Sequence, residues 1–465
     1  MLNFLTRQTL PPPQPQASTP LASLRGVRSN PLVLALLLPL LGLQASSVQA
    51  MDNQPLGLEG SAWSVHGDET FIDQGHGHFN SARPDGPNSL SSHAENSYSS
   101  VTGVAIGYQA SPGTEVWARI ETLRGIPLSN AGGLAALTNN DMQRIMENRF
   151  VSYLALGYLS KTWNLQGPST DQIPPDNHQF AQSVSPRRFN LIVGKVDVLG
   201  LFDDNAYAHK ADDQFLNWCF MTHCAYDFAA DARGYTWGVS TELDWDDWSG
   251  RFGWFAMPIL PNQLEIDGSI GQHFGVNGEL EHRWSSGDLK FLIYQGRMRL
   301  ANFASYGNQS GVFIQQAPKT DAKRGGAGLN LQQELVPGVG LFARAFWDGG
   351  SSETMAFTEA DRSFSTGLSL EGTLWGRPRD GVGVGLIRNE INTARQSFLQ
   401  NGNYDLFIGD GYLNYAPEAV LETYYRYALA EGVHVTLDWQ GIQNPAYNQL
   451  RGPVNIVGVR FHAEF

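Results

Sequence analysis

From residue 59 to the C-terminus the sequence alternates with a period of two, one face small or polar and the other aromatic or aliphatic. Nowhere in that stretch does it run through the roughly eighteen apolar residues that a membrane helix needs. The last segment shows the pattern best: Val457, Val459, Phe461, Ala463 and Phe465 share one face, and Arg460, His462 and Glu464 the other. Likewise Val116, Ala118 and Ile120 oppose Glu115, Trp117, Arg119 and Glu121, and Trp237, Val239, Thr241 and Leu243 oppose Thr236, Gly238, Ser240, Glu242 and Asp244. Phe252, Trp254 and Ala256 oppose Arg251, Gly253 and Phe255. The polar face carries both signs of charge, which suits a wet lumen better than a packed core, where unpaired charge is costly. If this chain crosses a membrane, it does so with strands.

Strands are predicted over 59–70, 98–110, 114–122, 150–159, 188–197, 234–246, 250–259, 274–284, 288–299, 325–334, 339–348, 364–375, 381–390, 418–428, 432–441 and 454–465. Their lengths are close to the roughly 9–11 residues of a tilted membrane strand. Connections after even-numbered strands are short and rich in Gly, Pro, Asp and Ser, such as Ser111-Pro112-Gly113 and Ser285-Ser286-Gly287, whereas those after odd-numbered strands are long. Short turns on one rim and long loops on the other define the fold class expected here: all-β, a transmembrane antiparallel β-barrel of about sixteen strands with short periplasmic turns and long extracellular loops. One connection, residues 160–187, breaks the rule, being long and Pro-rich where a turn belongs, and leaves room for an extra hairpin. A propeller is disfavoured because no self-similarity at about 40–50 residues is present. Sixteen strands are wide enough to enclose an aqueous channel rather than a filled core.

The N-terminus reads as an export signal. Arg25 and Arg28 precede an apolar run from Pro31 to Leu43, and Val48 and Ala50 suit a signal-peptidase site, so residues 1–50 are expected to be removed and 51–465 to form the barrel domain. The first fifty residues hold three basic residues and no acids, leaving 28 Lys and Arg against 45 Asp and Glu, a net of −17, on the remainder. That sign excludes a non-specific nucleic-acid binder. Cys219 and Cys224, in an oxidising periplasm, are expected to close a small disulfide loop.

Several motifs are weighed against plainer readings. Gly381-Val-Gly-Val-Gly385 lies within a period-two run with no helix behind it and reads as barrel wall, not a nucleotide loop. His76 and His78 occupy a polar loop without a third ligand. No metal or other cofactor is expected, although acids at Asp203-Asp204 and Asp244–Asp247 leave a loop-bound calcium open. An outer-membrane enzyme would need a converging Ser, His and acid; Ser240, His434 and Asp438 share the inward phase, but no Gly-x-Ser-x-Gly motif is present.

Longer strings resemble the carbohydrate-selective porins of the OprB type: Val193-Gly-Lys-Val196, Phe202-Asp-Asp-Asn-Ala-Tyr-Ala-His209, Gln214–Trp218, Asp231-Ala-Arg-Gly-Tyr-Thr-Trp-Gly238, Val339–Trp347, Asp361–Leu370, Ile408–Gly411 and Asn444-Pro-Ala-Tyr-Asn448. This resemblance implies a sixteen-stranded outer-membrane channel that passes small sugars down their gradient, constricted by loops folded inward. It implies no enzyme activity, small carbohydrates as partners within, lipids and lipopolysaccharide around the wall, and the barrel-assembly machinery at Phe465. Three features depart from the family pattern: the loop Gly132–Asp141, Lys210 after His209, and the lack of an arginine in Phe150–Leu159.

A sugar presents many hydroxyls and a weakly apolar face, so its channel needs paired carboxylates and guanidiniums together with an aromatic surface. Trp117, Arg119, Glu121, Lys195, Glu242, Arg251 and Arg344 are expected to line the wall, and the loop 198–233, with Asp203, Asp204, Asn205, Tyr207, His209, Trp218 and Arg233, to fold in as part of the constriction. The alternative role for the charged wall residues is to neutralise one another across neighbouring strands. A general or polysaccharide-exporting channel would share the same barrel.

Overall fold

The computed structural model describes residues 61–141, 147–356 and 358–465; the expected signal segment lies outside the described residues. In chain order the strands are β1 Trp63–His76, β2 Glu95–Ser111, β3 Thr114–Ile126, β4 Val151–Gln166, β5 Asp171–Ile173, β6 Gln182–Val184, β7 Arg187–Asp197, β8 Tyr235–Trp245 and β9 Trp248–Ala256. They continue as β10 Phe274–Trp284, β11 Gly287–Leu300, β12 Thr320–Val336, β13 Val339–Asp348, β14 Arg362–Glu371, β15 Gly381–Glu390, β16 Glu418–Ala430, β17 Val433–Gln443 and β18 Val454–Glu464. All but β5 and β6 pair with their barrel neighbours in antiparallel fashion, and β1 closes on β18, so sixteen strands form one barrel. At the seam Asp68 pairs with Glu464 and His76 with Ile456, while Phe465 exchanges backbone hydrogen bonds with Gly67.

Each predicted segment overlaps a barrel strand. The first, expected over 59–70, is β1 at Trp63–His76, so that His76, read from the sequence as a loop residue, is the buried end of a strand, and residues 59 and 60 lie outside the described residues. The irregular connection resolves into an extension of β4 to Gln166 and a separate hairpin of β5 and β6, which leaves the barrel count at sixteen. Strand β14 stops at Glu371 rather than 375, because Gly372–Trp375 turn into a 3-10 helix closed by Gly376 at φ 77°. On the short-turn rim, Pro337-Gly338 joins β12 to β13 with Gly338 at φ 80°, as a type II turn requires.

The alternation sorts side chains as the period demands. Val116, Ile120, Trp237, Val239, Leu243, Phe252, Val457 and Val459 are exposed on the outer wall, whereas Arg460 and His462 are buried inside. Exposed Tyr108, Trp163, Trp245, Trp248, Trp284 and Trp375 cluster beside the short turns, and Trp237 and Trp347 near the opposite rim, the two aromatic girdles of a membrane barrel.

The interior departs from the expected aqueous space. The loop between β7 and β8 enters the barrel and packs Phe202, Phe215, Trp218, Phe220, Tyr226 and Phe228 against Phe255, Tyr294, Phe342, Phe346 and Tyr424 of the wall, forming a continuous hydrophobic core. Within this loop Asn217 caps the short helix α1 (Trp218–Met221), accepting from the Cys219 N–H at 3.0 Å, and Cys219 and Cys224 form the expected disulfide. Gly383 and Gly385 of the Gly-Val-Gly-Val-Gly run explain why that run is a wall: a side chain at Gly383 would strike the rings of Phe215 and Tyr424, and one at Gly385 the rings of Phe220 and Phe215.

Replacing Gly385 by Leu therefore overpacks this floor. The expected outcome is a loss of about 1–3 kcal/mol of stability and displacement of the loop. Urea unfolding in detergent would register the first, and a rise in single-channel conductance the second.

Candidate channel constriction

The loop is seated by a buried carboxylate. Asp203 is fully buried, and Asn330 donates to its Oδ1 at 2.6 Å while Arg344 Nε donates to the same oxygen at 3.1 Å. Thr222 Oγ1 and the His223 N–H both donate to Oδ2 at 2.8 Å. Arg344 also donates to the carbonyls of Asp203 at 3.0 Å and Phe220 at 2.8 Å, and the Asp203 N–H donates to Glu279 at 2.8 Å. Burial alone would raise the Asp203 pKa, but Arg344, His223 and the Thr222 hydrogen bond overcome it and hold it at about 2. Burial pushes His223 the other way, to about 4, only partly offset by Asp203.

A second set of contacts fixes the far end of the loop. Glu422 accepts from the N–H groups of Leu216 at 2.6 Å and Asn217 at 3.1 Å, and Arg460 donates to the carbonyls of Ala211 at 2.7 Å and Gln214 at 2.8 Å. The described part of the loop after β3 joins it: Trp218 N–H donates to Leu137 O at 2.9 Å, and Asn140 N–H to Leu216 O at 3.0 Å. Glu418 holds this neighbouring loop by accepting from Ala135 N at 3.0 Å and Ala136 N at 2.9 Å. The described part of this loop thus joins the β7–β8 loop in filling the barrel on the long-loop side, and Phe79, Leu90, Met355 and Phe407 of other long loops pack onto the same core.

A cavity of about 1030 Å³ remains beside them. One wall carries Arg119, which grips Asp68 with two hydrogen bonds of 2.6 and 2.8 Å and Glu121 with one of 3.0 Å. Tyr235 donates to Glu121 at 2.8 Å, and Tyr153 donates to it as well. Another wall carries Arg251 among Glu279 at 2.6 Å, Glu281 at 2.7 Å and Glu242 at 2.9 Å. Among the residues lining the cavity, Asp and Glu number thirteen and Arg and Lys six.

Of the expected lining residues, Arg119, Glu121, Asp204, His209, Glu242 and Arg251 do face this cavity. The others need correction. Asp203, Asn205, Trp218 and Arg344 are buried as anchors of the loop, Asn205 donating to Asn330 at 2.7 Å, because the lumen beside them is filled. Trp117 is on the inward phase but covered, its Nε1 donating to Glu115 at 3.0 Å and its ring 5.1 Å from that of Phe180. Lys195 falls on the outward phase, in register with exposed Trp237, and its Nζ donates to the Leu154 carbonyl at 2.8 Å. Arg233 lies over the Tyr153 ring at 4.3 Å. Asp68, Arg188 and Arg426 were missed, although each sits on the inward phase of its strand, which the same parity count would have flagged.

Three of the acids weighed for calcium are engaged by arginine: Asp203 by Arg344, Asp244 by Arg188 at 2.9 Å and Asp246 by Arg187 at 2.7 Å. Among the described residues no three His, Cys, Asp or Glu converge as a metal site. Ser240 stands on β8 across the barrel from His434 and Asp438 on β17, so these three form no catalytic relay.

A closed barrel with an apolar girdled exterior, loops packed inside and a charged residual lumen defines an outer-membrane porin. The family model "Carbohydrate-selective porin, OprB family" matches residues 109–465, and the chain belongs to that family. In fold it is similar to OprB of Pseudomonas putida in its high-pH structure, with a TM-score of 0.65 at 13% identity over 88% of this chain and 95% of that one. It is also similar to the outer-membrane channel DcaP of Acinetobacter baumannii, with a TM-score of 0.49 at 9% identity over 87% of this chain and 98% of that one. No curated protein matches the sequence. The protein is an outer-membrane sugar channel of a Gram-negative envelope.

Acid should loosen the loop seat. The depressed Asp203 contributes stability that is present above its ordinary 3.8 and lost as pH falls toward 2; neutral His223 contributes stability present above 6.5 and lost as pH falls from 6.5 to 4. Single-channel recordings between pH 7.5 and 4.5 are expected to show conductance or its noise rising with acid, and His223→Gln should flatten that rise.

Proposed function

We propose that a sugar crossing the barrel trades hydrogen bonds with two charge rails, Asp68–Arg119–Glu121 on one wall and Glu242–Arg251, backed by the buried Glu279 and Glu281, on another, with Asp204 and His209 contributing from the loop. The observation that carries this reading is the pairing itself. Each guanidinium is already neutralised by carboxylates at 2.6–3.0 Å, so a neutral polyol can accept from one and donate to the other without a net charge of its own. A rail of this kind rewards hydroxyl-rich solutes over equally bulky ones that lack matching donors and acceptors, which supports selectivity for sugars over a general pore.

The excess of carboxylates around the cavity supports a further reading: neutral or cationic sugars pass more readily than sugar acids, which meet thirteen acids against six bases. Outside the barrel, the girdled wall is the surface for lipids and lipopolysaccharide, and Phe465, exposed at the end of the β1–β18 seam, is the group offered to the assembly machinery.

Liposome swelling tests the rails. Arg119→Ala should slow glucose entry relative to a size-matched amino acid and weaken half-saturation by about two- to threefold, the roughly 0.5 kcal/mol net worth of one exchanged hydrogen bond. Unchanged sugar rates would remove the rail from the pathway. In a potassium chloride gradient, the reversal potential of the unmodified channel is expected to have the sign of cation preference, and glucuronate should enter more slowly than glucose.

A further inference from the structure

We propose that the β4–β7 connection, residues 167–186, is a second constriction that closes on the lumen from the periplasmic mouth and sets the largest sugar that can leave the channel. This rests on the carbohydrate-channel reading above. The other periplasmic connections are turns of two residues, apart from Gly372–Asp380 with its short 3-10 helix, so a segment of this length on that rim is the largest departure from the barrel's own pattern.

The segment is built, not trailing. The β5–β6 hairpin forms its stem, and Asp171 at its base stands 3.5 Å from Arg188 of the wall. Its tip is a tight turn in which Asp176 and Gln179 exchange backbone hydrogen bonds of 3.0 and 3.1 Å, and the Gln179 side chain donates to the Pro174 carbonyl at 2.7 Å. The tip is then docked on the inner wall. Trp117 receives the Phe180 ring at 5.1 Å and the His178 ring at 5.9 Å, and Tyr158 donates to the His178 carbonyl at 3.3 Å. Covering Trp117 this way withdraws the wall aromatic expected to stack a sugar, and puts the tip in its place.

Asp176, Asn177 and Gln179 consequently line the same cavity as Arg119 and Asp68. A sugar that has cleared the extracellular loops meets this tip before it reaches the periplasm. Its acid and amides offer both donors and acceptors to hydroxyls, which suits a neutral sugar, while its docked turn sets the width.

Two variants of the full-length channel test the proposal by liposome swelling with glucose, a disaccharide and a trisaccharide. Replacing residues 172–183 by a short Gly-Ser turn should raise disaccharide entry relative to glucose by about twofold or more and raise conductance with it. Asn177→Trp, which adds bulk at the tip and leaves the stem and docking rings alone, should lower disaccharide entry relative to glucose. Heat-modifiable migration on gels checks that each barrel is folded; should the replacement fail to fold, Asn177→Trp decides. Folded variants with the wild-type ratio of disaccharide to glucose entry would overturn the second constriction. A wild-type channel that admits no sugar at all would instead overturn the carbohydrate reading on which it rests.

Discussion

In hydrocarbon no water can satisfy a backbone N–H or C=O, so a strand that crosses a membrane must be paired on both edges. That constraint is met here by β1 closing on β18, and much else follows from it. Sixteen strands enclose more space than side chains alone can fill. A lumen of that width would pass solutes by size with little discrimination. The chain narrows it with its own loops, and a loop drawn into a barrel brings peptide groups and aromatic rings that must themselves be satisfied and packed.

Satisfying them divides the inward charges into two populations with different work. Arg344, Glu418, Glu422 and Arg460 point to the inside yet meet loop backbone, receiving or supplying hydrogen bonds that water would otherwise make. Arg119 and Arg251 meet only wall carboxylates and tyrosine-supported acids, and they are left facing the cavity. The difference is one of position: the loop core packs against β9, β11, β13 and β15–β18, whereas the cavity lies against β1–β4 and β7–β9 and against the short-turn ends of β16–β18. Removing an anchor and removing a rail should thus produce different phenotypes, a loosened loop in one case and altered solute preference in the other.

The wall was legible in the sequence because period-two alternation is a local property: Val116 and Ile120 outward with Arg119 and Glu121 inward follows from parity alone. Turn chemistry placed the rims for the same reason. The contents of the lumen were not legible, since whether an inward arginine faces water or a carbonyl depends on which loop reaches it, and Asp203 and Arg344 are separated by 141 residues. Lys195 shows a second failure. Its charge argued for the lumen, but the phase of β7 puts it on the outer face near the strand end, where its ammonium reaches a carbonyl and stands 3.8 Å from Asp231. The aromatic loop residues carried a hidden signal: Phe215 and Phe220 need a flat partner, and Gly383 and Gly385 supply it from a strand far away in the chain.

The same arrangement explains how a channel can prefer sugars without holding them. A guanidinium between two carboxylates is already satisfied, so a passing hydroxyl gains only the difference between its bond and the one it displaces. Such a difference is small, which favours exit as much as entry, and a passive channel needs both. An unpaired arginine in this lumen would bind more tightly and would also attract anions, and the carboxylate excess around Arg119 and Arg251 works against that outcome. Paired rails are therefore better suited to conduction than single charges of either sign.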